Sequence, residues 1–195
     1  MIDLSNNRIR IIKNDTFTNL SSIKQLYLGE NRIADVQDNS FLNCSVVVLI
    51  LEGNQLEEVR KEMFQGAGRL QQLSLKDNRI RSVDPNAFYN NPALVMLDLG
   101  RNQLMDLAPA TFLSQLNMLL VDLSHNKMLR TPYSAFNRRV VTVLLQGERV
   151  FLNLCGWLEF LKIACFMFQR TRSSAPSEST SSSRGPVSTC PTART

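Results

Sequence analysis

One histidine, four cysteines and a scatter of carboxylates are the groups in this 195-residue chain with reactive chemistry to offer. A metal needs several such groups gathered at fixed spacing, and nucleophilic catalysis needs a base beside an activated oxygen or sulfur. His125 is the only histidine, so there is no two-histidine ligand set. Asp98 or Asp122 could orient it, but no serine or cysteine nucleophile motif accompanies them. There is no C-x-x-C pair to suggest zinc. Gly66 and Gly68 lie in a variable arc, not in a phosphate-cradling loop. The sequence therefore predicts no catalytic residue, no metal and no cofactor, and His125 reads as a residue of an exposed binding face.

The elements that must position these groups form a repeat. "IDLSNNRI", "LYLGENRI", "LILEGNQL", "LSLKDNRI", "LDLGRNQL" and "VDLSHNKM" share the frame L-x-L-x-x-N-x-L. Their asparagines, Asn7, Asn31, Asn54, Asn78, Asn102 and Asn126, are spaced by 24, 23, 24, 24 and 24 residues. Ten residues after each stands a phenylalanine: Phe17, Phe41, Phe64, Phe88, Phe112 and Phe136. Such a period marks a stack of similar units, each unable to bury its apolar face alone. The L-x-L core predicts a short strand whose leucines face a core while the residue between them points away. The chain then turns, and an asparagine, both donor and acceptor, can satisfy backbone groups of neighbouring turns as one rung of a ladder. The phenylalanine column fills the wider side of each coil. A seventh unit, "VLLQGERV", has Glu148 where asparagine belongs, and an ionised glutamate cannot donate, so the ladder weakens there.

This frame, with phenylalanine late in a 24-residue unit, resembles the typical leucine-rich repeat of extracellular animal proteins. That group includes the ectodomains of Toll-like receptors, Slit-type guidance proteins and chaoptin. The resemblance implies an α/β-type leucine-rich-repeat solenoid: a curved parallel β-sheet on the concave side, an irregular or short helical convex side, and a C-terminal helix as end cap. It also implies a secreted or cell-surface protein. The expected domains are repeats over 1–150, a capping helix with a degenerate cysteine flank over 151–169, and a disordered tail over 170–195. "LCGWLEFLKIAC" is similar to part of a cysteine-capped flank, without its C-x-C pair or the preceding Asn-Pro. Cys155 and Cys165, ten residues apart, cannot pair on one straight helix, and the pairing among Cys155, Cys165 and Cys190 stays open. Cys44 follows Phe41 by three residues, as Leu20 follows Phe17, and reads as a buried apolar residue.

The two ends carry further expectations. The chain begins inside a strand, with no signal peptide or capping flank before Ile2, as a fragment of a longer protein would. Residues 150–168 are the most apolar stretch and precede "QRTR", which admits a membrane span. Glu159 and Lys162 interrupt it, whereas Leu154, Leu158, Leu161, Cys165 and Phe168 form one helical stripe. An amphipathic helix over the end of the solenoid is the preferred reading. Beyond Arg170 the Ser/Thr/Pro/Arg composition cannot bury enough surface to offset its ordering entropy.

The chain carries a net charge of +5, of which residues 1–169 hold +2 (18 basic, 16 acidic) and the tail +3 (four Arg, one Glu). A nearly neutral repeat body argues against a nucleic-acid partner. Arg8, Arg32, Arg79, Lys127 and Arg149 each follow the asparagine column and could form a stripe for a sulfated glycan. Asn14, Asn19 and Asn43 open N-x-[ST] sequons, candidate N-glycosylation sites. The fixed letters build the scaffold, and the variable strand positions supply the surface. Tyr27, Glu30, Glu52, Lys76, Asp98, Arg101, Asp122 and His125 are the expected partner-binding residues, on a concave face that takes a protein ligand. The alternatives are matrix or glycan binding through the stripe, or the ligand-binding part of a larger catalytic receptor.

Overall fold

The computed structural model describes residues 1–136 and 142–145. Strands are numbered in chain order. Each L-x-L core becomes one strand of a seven-stranded parallel sheet: β1 Ile2–Asp3, β3 Gln25–Tyr27, β5 Val48–Ile50, β7 Gln72–Ser74, β9 Met96–Asp98, β10 Leu120–Asp122 and β11 Thr142–Leu144. Register follows the repeat, so Leu26, Leu49, Leu73, Leu97, Val121 and Val143 pair in sequence across it. These residues and the second leucines of the frame (Leu28, Leu51, Leu75, Leu99, Leu123) are buried in one continuous core.

Inside the turns the asparagine ladder closes as the donor and acceptor count requires. Asn78 Nδ2 donates to the carbonyls of Leu51 (3.0 Å), Leu75 (3.0 Å) and Lys76 (3.1 Å), and its Oδ1 accepts the Leu56 N–H (3.0 Å). Asn31, Asn54 and Asn102 repeat the pattern, and all four are buried. Asn126 is half-buried and bonds to Leu99 O and Leu104 N in the same way, while exposed Asn7 donates only within its own turn, to Leu4 O and Ser5 O. On the wide side the six phenylalanines stack, with neighbouring centroids 5.0–6.3 Å apart. Cys44 is buried, and burial pushes its thiol above the usual range, as befits an inert core residue.

The convex arc is mainly turns, with one 3-10 helix at Tyr133–Ala135. It also holds two short parallel strand pairs that sequence periodicity did not announce: β2 (Ile11–Ile12) with β4 (Asp35–Val36), and β6 (Glu58–Val59) with β8 (Ser82–Val83). The buried positions of these pairs are Ile12, Val36, Val59 and Val83, one β-branched residue per coil. Such side chains favour extended backbone. In the next coil Leu107 takes that slot, and no strand forms there. Between the two pairs, Arg60 Nη2 donates to Val36 O (2.9 Å) and Asp35 Oδ1 (2.8 Å), so a side chain bridges the joint.

The expected capping helix of 151–169, the membrane-span alternative at 150–168, Glu148, Arg149, the tail and Cys155, Cys165 and Cys190 lie outside the described residues. Among the described residues no helix is long and apolar enough to cross a membrane. None of their histidine, cysteine or carboxylate side chains cluster in threes to hold a metal ion.

Candidate recognition face

Alternation in the strands sends one set of side chains into the core and the other out of the concave face. The outward column between the leucines runs Asp3, Tyr27, Ile50, Ser74, Asp98, Asp122 and Leu144, with neighbours in direct register. A second outward column was missed in the sequence because it lies one residue before the leucine pair: Gln25, Val48, Gln72, Met96, Leu120 and Thr142. Period-two alternation was the signal that could have found it.

The residue before each ladder asparagine has a constraint of its own. Asn6, Glu30, Gly53, Asp77, Arg101 and His125 all have φ between 51° and 68°. The tight turn into the ladder demands this left-handed backbone, which Gly, Asn, Asp and His tolerate best. Glu30, Arg101 and His125 are exposed there, held just beyond the strand ends. Glu30 lies over Gly53, whose missing Cβ would sit 2.4 Å from Glu30 Oε1.

The two aspartates among the candidate residues also have structural work. Asp98 Oδ1 accepts the Gly100 N–H (2.8 Å) and Asp122 Oδ1 accepts the Ser124 N–H (2.8 Å), as Asp3 Oδ1 accepts that of Ser5 (2.9 Å). These are Asx-type turns that steer the chain out of the strand. Burial pushes the Asp98 carboxyl above the usual carboxylate range, against the opposing effect of the Gly100 N–H, and the charge of Asp122 adds to the rise. Lys76 Nζ meets Glu52 Oε1 at 3.2 Å, and that bond holds the ammonium pKa above its ordinary value.

The structure thus brings Tyr27, Glu52, Lys76, Asp98 and Asp122 onto the sheet face and Glu30, Arg101 and His125 onto its adjoining turn. Within the sheet is a depression of about 230 Å³ whose lining includes Ile50, Ser74, Met96, Asp98, Leu120 and Asp122. Larger hollows of about 470 and 400 Å³ lie beside β6 and β8, around Glu58, Arg60 and Ser82. Their basic residues are engaged in Arg60–Asp35 (2.8 Å), Lys61–Glu62 (3.5 Å) and Arg81–Glu57 (3.7 Å), and the acidic residues of the lining outnumber them. Arg8, Arg32, Arg79 and Lys127 form a separate exposed column beyond the asparagine ladder. Asn14, Asn19 and Asn43 are exposed outside the sheet; Asn19 and Asn43 have φ of 58° and 53°, and Asn43 Nδ2 donates to Asn19 Oδ1 at 3.3 Å.

A solenoid of parallel-stranded coils, with a constant core and a variable outward face, is a recognition scaffold of the repeat class. The family model described as "Leucine rich repeat" matches residues 1–56 and 44–104. The chain belongs to the leucine-rich repeat family. Among solved structures it is similar to one titled "Crystal structure of TLR13-ssRNA13 complex", with a TM-score of 0.65 and 23% identity. The match covers 76% of this chain and 21% of that one, so the chain spans about a fifth of its neighbour's length. No curated protein matches the chain.

Proposed function

We propose that this chain is a non-enzymatic recognition module of a secreted or cell-surface protein, and that it binds a protein partner through its concave face. The observation that carries the reading is the outward columns. Their positions hold aromatic, aliphatic, acidic and basic side chains in register on one sheet, while the core columns hardly vary. Tyr27 and Arg101 are the anchors, because such residues dominate interface energetics. The solved neighbour is a complex with ssRNA13, but that ligand belongs to the neighbour. Here Asp3, Glu30, Glu52, Asp77, Asp98 and Asp122 stand against only Lys76 and Arg101 on the outward strand and turn positions, a balance that repels phosphate. Glycans on Asn14, Asn19 or Asn43 would leave the concave face clear.

The basic column gives the competing reading, a matrix or sulfated-glycan contact through Arg8, Arg32, Arg79 and Lys127. A photo-crosslinking amino acid placed at position 27, 101, 32 or 79, with the protein applied to cells of its source, separates the two. Protein adducts are expected at 27 and 101 and should resist nuclease and glycosaminoglycan lyase. Adducts confined to 32 and 79 and removed by the lyase, or adducts at 27 and 101 digested by nuclease, would overturn the proposal.

A further inference from the structure

Two of the three sequons occupy one slot in neighbouring coils. Asn19 and Asn43 each stand two residues after a column phenylalanine, Phe17 or Phe41, and open "NLS" and "NCS". Both are exposed, and both hold the left-handed backbone, with φ of 58° and 53°. The coils are tied together on each side of the pair: the Asn19 N–H donates to Leu42 O (2.9 Å), and the Ser45 N–H donates to Leu20 O (3.0 Å). The two side chains therefore stand one coil step apart and cannot splay. They touch, with Asn43 Nδ2 donating to Asn19 Oδ1 at 3.3 Å. The contact treats them unequally. Asn43 turns its amide nitrogen, the atom that would carry a sugar, toward the neighbouring coil. Asn19 offers its oxygen, and its Nδ2 has no hydrogen-bond partner among the described residues.

We propose that this pair carries a single N-linked glycan, on Asn19, and that Asn43 stays unmodified as the donor beside it. In the transfer, the Asn19 amide nitrogen bonds to the anomeric carbon of an oligosaccharide held on a lipid pyrophosphate. The bond from that carbon to the pyrophosphate oxygen breaks, and the lipid pyrophosphate leaves with the proton that the nitrogen gives up. Asn19 Oδ1 is untouched, so the bond from Asn43 survives. A glycan is bulky, and the step between coils is only roughly 4.8 Å. Transfer precedes the stacking of the coils, so the fold acts by selection. A chain modified at both sites has to close the bonds to Leu42 O and Leu20 O around two sugar stems side by side. Modification of Asn43 alone sets its stem against Asn19 and forfeits the side-chain contact. Asn14, three residues before Phe17, belongs to another slot and takes no part in the exclusion.

The assignment rests on the secreted or cell-surface reading, and a cleavable leader makes its test independent of that reading. The full chain carrying Asn14→Gln is secreted behind such a leader from animal cells. Intact mass counts the glycans, and enzymatic release in heavy-oxygen water marks each occupied asparagine as labelled aspartate for peptide mapping. One glycan per chain is expected, at Asn19, with Asn43 a minor site. Ser21→Ala removes the Asn19 sequon while leaving both asparagines in place. Occupancy of Asn43 should then rise several-fold, which separates exclusion from a sequon that is merely poor. Ser45→Ala should leave Asn19 as occupied as before. Chains carrying both glycans, Asn43 as the major site, an Asn43 still empty in Ser21→Ala, or no glycan on either residue would overturn the assignment. Mapping of the chain from its own source tests location separately. If that chain lacks glycans while the leader-driven one follows the pattern, the pair stands and the secreted reading falls. If it is glycosylated at Asn14 while exclusion fails, the secreted reading survives without this device.

Discussion

Asn78 makes four bonds with two side-chain atoms, and its surroundings leave no room for another chemistry. Replacing it by alanine leaves the Leu56 N–H unpaired and strips one donor from each of three carbonyls that keep another (Asn54 Nδ2 on Leu51 O, Asn102 Nδ2 on Leu75 O, the Gly53 N–H on Lys76 O), with an expected loss of about 1–3 kcal/mol in chemical denaturation. Aspartate, nearly the same shape, should be worse, since it sets a carboxylate against the three carbonyls that Nδ2 served. If Asn78→Asp were as stable as the parent, the ladder would not hold the turns. The donor–acceptor nature of asparagine made this rung legible in the sequence. The turn-forming bond of Asp98 was not legible, because an outward aspartate reads as a binding residue until its Gly100 contact is seen. That contact shapes a second prediction. The folded-state pKa of Asp98 is raised above its unfolded value, so ionisation opposes folding. The penalty is complete above the folded pKa and absent below the unfolded one. Asp98→Asn keeps an acceptor for Gly100 and removes the charge, so the variant should be the more stable near neutral pH. Its advantage should shrink as pH falls through the carboxylate range. Paired denaturation curves across that range check this, and a gap that does not change with pH would contradict it.

At the scale of the elements, the coils differ most in how they turn on the convex side. Gly66 and Gly68 look alike in sequence, both in one variable arc, but the backbone treats them differently. Gly66 has φ of 86°, and a Cβ there would lie 2.5 Å from Leu42 Cα and 2.8 Å from Phe41 O, backbone atoms of the coil before. It occupies the slot that Asn19 and Asn43 fill in the two preceding coils, also left-handed. At Gly68 the nearest atom is Asn90 O at 3.9 Å, and its φ is ordinary. Gly66→Ala is expected to destabilise by more than about 1 kcal/mol, while Gly68→Ala shifts stability by less than about 1 kcal/mol in either direction. Thermal or urea unfolding of the two variants side by side decides it, and equal effects would deny the close approach of these coils. The phenylalanine register was readable because one residue type recurs at one interval. The left-handed column through Glu30, Arg101 and His125 was harder, because the turn forces it on whichever residue stands there. Its Asn, Gly, Asp and His members were the clue. Arg60 bridging two strand pairs could not be foreseen at all, since the bond spans coils and depends on side-chain reach.

For the whole molecule, stacking turns a local alternation into a surface. No single coil has a binding face; the seven strands acquire one together, and their order in space is their order in sequence. That is why the placement of Tyr27, Asp98 and Asp122 in one column could be read before the fold was known. The buried hydroxyl of Ser74 could not, because its solvent is excluded by neighbours 24 residues away on either side. The central claim is that this surface, and not the basic column across the asparagine ladder, meets the partner. The most direct measurement is the affinity of the crosslinked partner, once isolated, for three variants of the full chain: Tyr27→Ala, Arg101→Ala, and the combined Arg32→Ala, Arg79→Ala, Lys127→Ala. The concave account predicts that each of the first two weakens binding by more than about 1 kcal/mol, with unfolding midpoints nearly unchanged because neither residue belongs to the core. The combined variant should bind as the parent does. Loss of binding in the combined variant, with Tyr27→Ala and Arg101→Ala unaffected, would contradict it.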